Sequence, residues 1–495
     1  MKYPIVLAAI LQCLVASVGP VQAAEPAKPN IVYILADDLG YGDVKCLGGE
    51  RSKIPTPNID RLASQGMVFT EAHSSSAVCT PTRYGMLTGR YNWRSRLQRG
   101  VLGPQAPALI AADRLTVPSL LKQHGYATAA IGKWHLGWTW PKVGKKMDFT
   151  KPITNGPTTR GFDFYFGTDV PNYPPYCFIE NDHTVGIPSV PLPADLLKHN
   201  LASVKGPAVP GWSLEAILPT ITDKACGFVS KQAKSGSPFF LYFPLTAPHT
   251  PIAPTAEWRG KSGLQSPFAD FVMEVDAMVG RVLQTLEQSG IADNTLVIFT
   301  SDNGCAPYAG VPELEAKGHF PSELRRGYKA DIWDGGHRVP FIARWPGKIK
   351  PGSRSGEIIC LTDLMATSAE ILGAKLPDNA GEDSVSILPA LLGTAKEPIR
   401  EAVVHHSING NFAIRQGQWK LVMCPDSGGW SKDAPVKTRG QLYDMSKGAG
   451  ERTNEYSEHP ENVSRLTALL EKYVTDGRST PGPAQKNDVP VDIRK

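Results

Sequence analysis

The chain has 495 residues, 41% hydrophobic and 20% charged, with a formal net charge of +5. That length calls for one large domain plus a smaller one, and the composition excludes gross disorder. The mild positive balance gathers into no basic stripe, so nucleic-acid binding is not expected.

Taken from the N-terminus, residues 1–23 read as a removable export signal. Lys2 supplies the positive end, residues 5–18 are apolar, Gly19-Pro20 break the run, and Ala23-Ala24 offer small residues for cleavage. Gln12 before Cys13 argues against a lipid anchor, and the apolar run is short for a membrane span. The expected product is a soluble periplasmic or extracellular protein with no stable membrane insertion. Seven cysteines remain after residue 23, with no CxxC spacing, which disfavours a zinc knuckle. An odd count in an exported chain leaves one thiol unpaired.

Residues 30–35 (NIVYIL) form a continuous apolar run ending in Ala36-Asp37-Asp38, the pattern of a buried parallel strand with carboxylates at its C-terminal end. Thr56-Pro57 opens a helix that Gly66 stops. Residues 128–131, 239–243 (FFLYF) and 295–300 (TLVIFT) repeat the strand pattern, with a helix over about 268–287. The alternation predicts an α/β fold, a large doubly wound sheet flanked by helices, spanning residues 24–400. Ligands gather at the carboxyl ends of such strands, where Asp37-Asp38, Lys133-Trp134-His135, His249 and Asp302-Asn303 fall. Residues 141–215, rich in Pro, Gly and aromatics, read as an ordered excursion over the sheet that carries Cys177, Tyr173 and Tyr176 above the pocket. Residues 401–477 read as a smaller α+β unit with short antiparallel strands near 401–406, 411–415 and 419–423 and a helix over 463–474. His405-His406 reads as structural there. Residues 478–495 read as a loose polar tail.

The most specific feature is Cys79-Thr80-Pro81-Thr82-Arg83, followed by Met86-Leu87-Thr88-Gly89. Pro81 suits a first helical turn, placing Cys79 at a helix N-terminus where free N–H groups favour an anion or a reactive oxygen. Read plainly, Cys79 is an activated thiol; the duller reading is a buried or paired cysteine. Asp37, Asp38, Asp302 and Asn303 together offer hard oxygen donors, suited to Ca²⁺ or Mg²⁺ rather than zinc or copper. Lys133, His135, His249 and Lys329, the last within Arg326-Gly327-Tyr328-Lys329-Ala330-Asp331-Ile332-Trp333-Asp334-Gly335-Gly336, supply cations near the same edge.

The stretch 77–89 resembles the first signature of type I sulfatases, of the alkaline-phosphatase-like superfamily. Residues 125–135 (GYATAAIGKWH) resemble the second. The resemblance runs from about residue 30 into the C-terminal region. It implies that Cys79 is oxidised by a formylglycine-generating enzyme to Cα-formylglycine, whose hydrate is the nucleophile. It also implies one calcium ion on Asp37, Asp38, Asp302, Asn303 and an oxygen of modified Cys79. Arg83, Lys133 and His135 would hold the hydrate, and Lys133, His249 and Lys329 the sulfate. Thr82 stands where Ser is commoner, and Asp334 where Glu is commoner; neither difference is expected to touch the chemistry.

The implied activity is sulfate-ester hydrolysis, and for an exported member of the family the expected substrate is a sulfated carbohydrate, desulfated at the end of a glycosaminoglycan or algal polysaccharide fragment. Trp134, Trp138, Trp140 and Trp333 fall in candidate pocket loops where aromatic faces would stack on sugar rings, although tryptophans equally fill cores. The rivals are a phosphate or phosphonate ester hydrolase on the same fold and a non-catalytic binding protein. Zinc phosphatases are disfavoured, because the extra histidine ligands of a two-zinc site are missing.

Overall fold

The computed structural model describes residues 28–199 and 203–494; the export signal expected over 1–23 lies outside the described residues. Every side chain of the first strand, β1 (Asn30–Asp37), is buried. Ile31, Tyr33 and Leu35 enter one core, and Val32, Ile34 and Ala36 the other. Burial on both faces is why this run is apolar throughout rather than alternating.

In chain order there follow α1 (Pro57–Ser64), β2 (Met67–Phe69), α2 (Cys79–Thr88), β3 (Ala127–Lys133), β4 (Phe164–Thr168), β5 (Phe178–Glu180) and β6 (His183–Val185). Next come α3 (Ile217–Ser235), β7 (Phe239–Pro248), α4 (Pro267–Gln288), β8 (Thr295–Ser301), β9 (Phe341–Arg344) and β10 (Ser353–Ser355). The C-terminal part adds β11 (Val403–His406), β12 (Phe412–Gln416), β13 (Trp419–Val422), β14 (Gln441–Asp444) and α5 (Pro460–Thr475).

One mixed sheet of ten strands runs β10-β2-β9-β8-β1-β7-β3-β4-β5-β6. Its central strands β8-β1-β7-β3-β4 are all parallel. Helices α1, α3 and α4 send Ile59, Ile221 and Val275 into one core, and α2 sends Met86 and Leu87 into the other. The doubly wound reading is therefore correct. The long helix α4 begins as its sequence dictates: the Ser266 hydroxyl accepts the Ala269 N–H, and Pro267 occupies the first turn. Among the described residues no helix is long and apolar enough to cross a membrane.

Three expectations need correction. The excursion over 141–215 is partly sheet: β4 joins the parallel core, and β5 and β6 finish its edge as a hairpin. The small sheet has a fourth strand, β14, beside β13. The tail after residue 477 is packed, not loose. Asp488 pairs with the buried Arg90 at 3.0 Å, Asn487 accepts from the buried Arg94 at 3.0 Å, and Ile493 enters the core beneath the small sheet. Two buried guanidinium groups need partners, and the tail supplies part of them.

Candidate active site

Four neighbouring parallel strands, β8, β1, β7 and β3, deliver the singled-out residues to one edge of the sheet. β1 ends on Asp37 and turns through Asp38, which sits at φ 66°. The Asp38 N–H donates to Asp302 Oδ1 at 3.2 Å, and the Asp302 N–H donates to the Ala36 carbonyl, which joins the ends of β1 and β8. β7 leads into His249, and β3 ends on Lys133.

Helix α2 aims its N-terminus at this edge and starts on Cys79. Val78 before it is extended and offers no side-chain cap, so the first-turn N–H groups remain available to an anion. The loop leading into α2 is tied from both sides. The Ser74 N–H donates to the His337 carbonyl, and the Ala77 N–H and Ser76 hydroxyl both donate to the His406 carbonyl. The Thr82 hydroxyl donates to the Ser76 carbonyl at 2.9 Å, so it braces this loop.

Around Cys79 the charges pair closely. Lys133 Nζ lies 2.7 and 3.0 Å from the two oxygens of Asp37. Arg83 Nη2 and Nε reach Asp302 Oδ2 at 2.7 and 3.0 Å. Lys329 Nζ lies 2.7 Å from Asp38 Oδ2. Burial works against ionising Asp37 and Asp38, but the surrounding cations, led by Lys133 at Asp37 and Lys329 at Asp38, together outweigh it, holding Asp37 well below the usual carboxylate range and lowering Asp38. Asp302 is pushed the other way, to about 7, by burial and then by the charge of Asp37. Asn303 donates to Asp38 Oδ1 at 2.8 Å, while its own Oδ1 is buried without a hydrogen-bond partner among the described residues. A set of oxygen donors with one orphaned carbonyl fits a hard divalent cation.

The two imidazoles are neutral bases. His135 sits at φ 53°, two residues beyond the end of β3 at Lys133. Its Nε2 lies 2.9 Å from the Leu102 carbonyl, which makes that nitrogen the donor and leaves the unpartnered Nδ1 as an acceptor. The His135 backbone N–H donates to Asp169 Oδ1. Burial, with Lys133 nearby, holds its pKa well below the ordinary value. His249 points Nε2 toward Asp38 Oδ2 at 3.9 Å, and burial lowers its pKa to about 4. Cys79 Sγ, an oxygen each of Asp37 and Asp38, and a ring nitrogen of His249 all lie within 4.8 Å of one another. Asp37, Asp38, Cys79, Arg83, Lys133, His249, Asp302, Asn303 and Lys329 therefore meet here, with His135 two residues beyond Lys133.

The plain reading of Cys79 as an activated thiol is not supported. Burial pushes that thiol up to about 12 despite Lys133 and Lys329, so it is not a thiolate near neutrality. The count-based expectation of one unpaired cysteine also changes: all seven described cysteines are free.

The strap that carries Lys329 explains its glycines. A Cβ on Gly335 would fall 1.9 Å from the Gly327 carbonyl oxygen, and one on Gly336 would fall 2.2 Å from that of Asp331. Gly304 is pressed against Gly335 in the same way, at 1.9 Å. Asp334 spends its carboxylate on Lys420 and Arg338.

Sequence reasoning missed Tyr308, whose hydroxyl lies 3.1 Å from Asp38 Oδ2 and 3.3 Å from Lys329 Nζ, and Asp169 beside His135. Neither lies in a motif. The four tryptophans considered for sugar stacking fill the core instead: Trp134, Trp138, Trp140 and Trp333 are at most 5% exposed. His405 joins His73 and His337 in a buried cluster of three imidazoles. The His337 and His405 rings stack at 3.7 Å and 11°, so their in-plane lone pairs run parallel and do not converge on one ion. The structural reading of His405 stands.

A sequence-family profile described as "Sulfatase" matches residues 29–374. An N-acetylgalactosamine-6-O-sulfatase of Bacteroides thetaiotaomicron is 36% identical over 488 residues, covering 90% of this chain and 93% of the relative. Arylsulfatase A of Homo sapiens is 33% identical over 497 residues, covering 92% and 90%. A solved Bacteroides thetaiotaomicron structure, described under that organism's metabolism of multiple glycosaminoglycans, superposes with a TM-score of 0.79 at 34% identity and covers 90% of this chain and 99% of its own.

Proposed function

The chain belongs to the sulfatase family and is a sulfuric ester hydrolase, and on that premise we propose that it removes sulfate from carbohydrates with a nucleophile made by oxidising Cys79 to Cα-formylglycine. The observation that carries the proposal is the site of Cys79 itself. It starts α2 inside a buried cluster of three carboxylates and three cations, where burial keeps its unmodified thiol protonated near neutrality.

Asp37, Asp38, Asp302 and Asn303 would hold one calcium ion, together with an oxygen of the modified Cys79. When bound, calcium supplies positive charge that favours an ionised hydroxyl and offsets a sulfate oxygen. Arg83, Lys133 and His135 position the hydrated aldehyde. Lys133, His249 and Lys329 neutralise the equatorial oxygens as sulfur is attacked in line, the same electrostatic task that phosphoryl transfer sets. Lys329, or His249 once bound sulfate has raised its proton affinity, gives a proton to the departing sugar oxygen. His135 Nδ1, the free acceptor, takes a proton from the second hydroxyl, and loss of sulfate restores the aldehyde.

The sulfate is removed from a sugar at the end of a glycosaminoglycan or algal polysaccharide fragment; the name of the 36%-identical relative, an N-acetylgalactosamine-6-O-sulfatase, supports the carbohydrate part of this reading. The export signal over residues 1–23 and a periplasmic or extracellular setting belong to the same proposal, as does maturation by a formylglycine-generating enzyme. Mass spectrometry of the Cys79 peptide, combined with assays on sulfated oligosaccharides and aryl sulfates, tests it. A lighter, hydrazide-reactive peptide and turnover of saccharides are expected. An intact thiol in active protein overturns the nucleophile, and activity confined to aryl sulfates overturns the carbohydrate assignment.

A further inference from the structure

With the motif tryptophans buried, the structure points to a different aromatic surface. Among the described residues Trp430 is the one exposed tryptophan, at 41%. It follows β13 in the C-terminal part, distant in sequence from every motif, yet it stands beside the site. Its ring centroid is 6.1 Å from that of Tyr308, and the Tyr308 hydroxyl touches Asp38 and Lys329. One aromatic ring therefore separates the exposed indole from the Lys329 ammonium group.

The indole is exposed, but its backbone is held. The Trp430 and Ser431 N–H groups both donate to Asp331 Oδ1, at 2.8 and 3.0 Å, and the Ser431 hydroxyl donates to Asp331 Oδ2. The Ile332 N–H donates to the Ser427 carbonyl at 2.8 Å. Gly429 lies so close to the Lys329 strap that a Cβ there would meet the Ala330 carbonyl oxygen at 2.4 Å. The 427–431 loop and the Lys329 strap thus form one braced unit. A large apolar ring held out in solvent by its backbone costs hydration free energy and contributes little to the fold.

We propose that Trp430 is a specificity-determining residue whose indole stacks on the C–H face of the sugar ring bearing the sulfate ester. This rests on the carbohydrate reading given above. With the sulfate at Lys329, a pyranose one bond away lies over Tyr308 and reaches Trp430. The electron-rich indole face meets the electropositive C–H groups of the sugar, and the sugar hydroxyls remain at the edges. Because the backbone is already held, binding orders only the Trp430 side chain.

The test is steady-state kinetics on a sulfated oligosaccharide with wild-type, Trp430→Ala and Trp430→Phe enzymes, each normalised to its formylglycine content. The expected result is a KM raised about ten-fold in Trp430→Ala with kcat within a few-fold, and most of the KM recovered in Trp430→Phe. A saccharide KM unchanged in Trp430→Ala, or a fall in kcat alone, overturns the role of Trp430 and leaves the carbohydrate reading intact. Wild-type enzyme that turns over aryl sulfates but no saccharide overturns both.

Discussion

The guanidinium of Arg83 grips a single oxygen of Asp302, with Nη2 at 2.7 Å and Nε at 3.0 Å, and both side chains are fully buried. Removing one member of such a pair leaves the other charged and unsolvated. Arg83→Ala is therefore expected to lose about 3–5 kcal/mol of stability in denaturant unfolding, as well as activity. Arg83→Lys should recover little, because an ammonium group cannot reach Asp302 and the Lys133 carbonyl in the fork geometry that Arg83 uses. Unchanged unfolding midpoints in both variants would contradict this account.

Gly335→Ala tests the strap. Its added methyl would meet the backbone carbonyl of Gly327, which cannot swing aside as a side chain could. A cost of about 1–3 kcal/mol is expected, with displacement of Lys329 and a fall in kcat/KM larger than stability alone explains. The control is Gly347→Ala, where the added methyl meets nothing within 4 Å, although its φ of 71° also costs something. Equal losses of kcat/KM in the two variants would place the effect in backbone strain rather than in the strap.

Much of this was legible in the sequence because buried parallel strands are apolar from end to end and then stop at polar groups. That contrast located the ends of β1, β3, β7 and β8, and with them Asp37, Asp38, Lys133, His135, His249, Asp302 and Asn303. Pro81 located the start of α2. What stayed hidden depends on contacts between distant segments. β5 and β6 are three residues each, too short for a periodicity, and pair only because β4 offers an edge. The polar tail resembles a solvated one until Arg90 and Arg94 are seen to need its carboxylate and amide. Trp138 and Trp430 are the same residue type in loop-like surroundings, and only the fold buries one and exposes the other.

Metal removal separates the oxygen-donor site from a purely cationic one. Asn303 Oδ1 has no protein partner, and Asp302 is held near 7 by burial and Asp37. Chelation with EDTA is expected to abolish turnover and lower the melting temperature, and calcium should restore both. At free calcium a hundred-fold above Kd the stabilisation is about 2.7 kcal/mol. Full activity and an unshifted melting temperature after exhaustive chelation would remove calcium from the proposal.

Acid should loosen the junction between the small sheet and the loop leading into α2. His73, His337 and His405 pack there as neutral rings, with Glu71, Asp334, Lys420 and Arg415 around them. Burial lowers His73 to about 4 and holds the other two well below the usual histidine value. A histidine whose folded pKa lies below its unfolded value binds fewer protons folded than unfolded in the window between them, so stability is full above pH 6.5 and is lost as pH falls toward 4. The share of His73 alone is on the order of 3 kcal/mol by pH 4. Glu71 acts lower down: burial raises it, but the His73 hydrogen bond and then Arg338 and Arg415 outweigh burial and hold it at about 2, so its contribution is lost only below its unfolded value of about 4.3. Melting temperatures measured from pH 8 to 4 should therefore fall from about 6.5 downward. His73→Gln should start less stable at pH 8 and fall less steeply. Parallel curves for the two proteins would mean that the imidazole cluster does not set the acid limb.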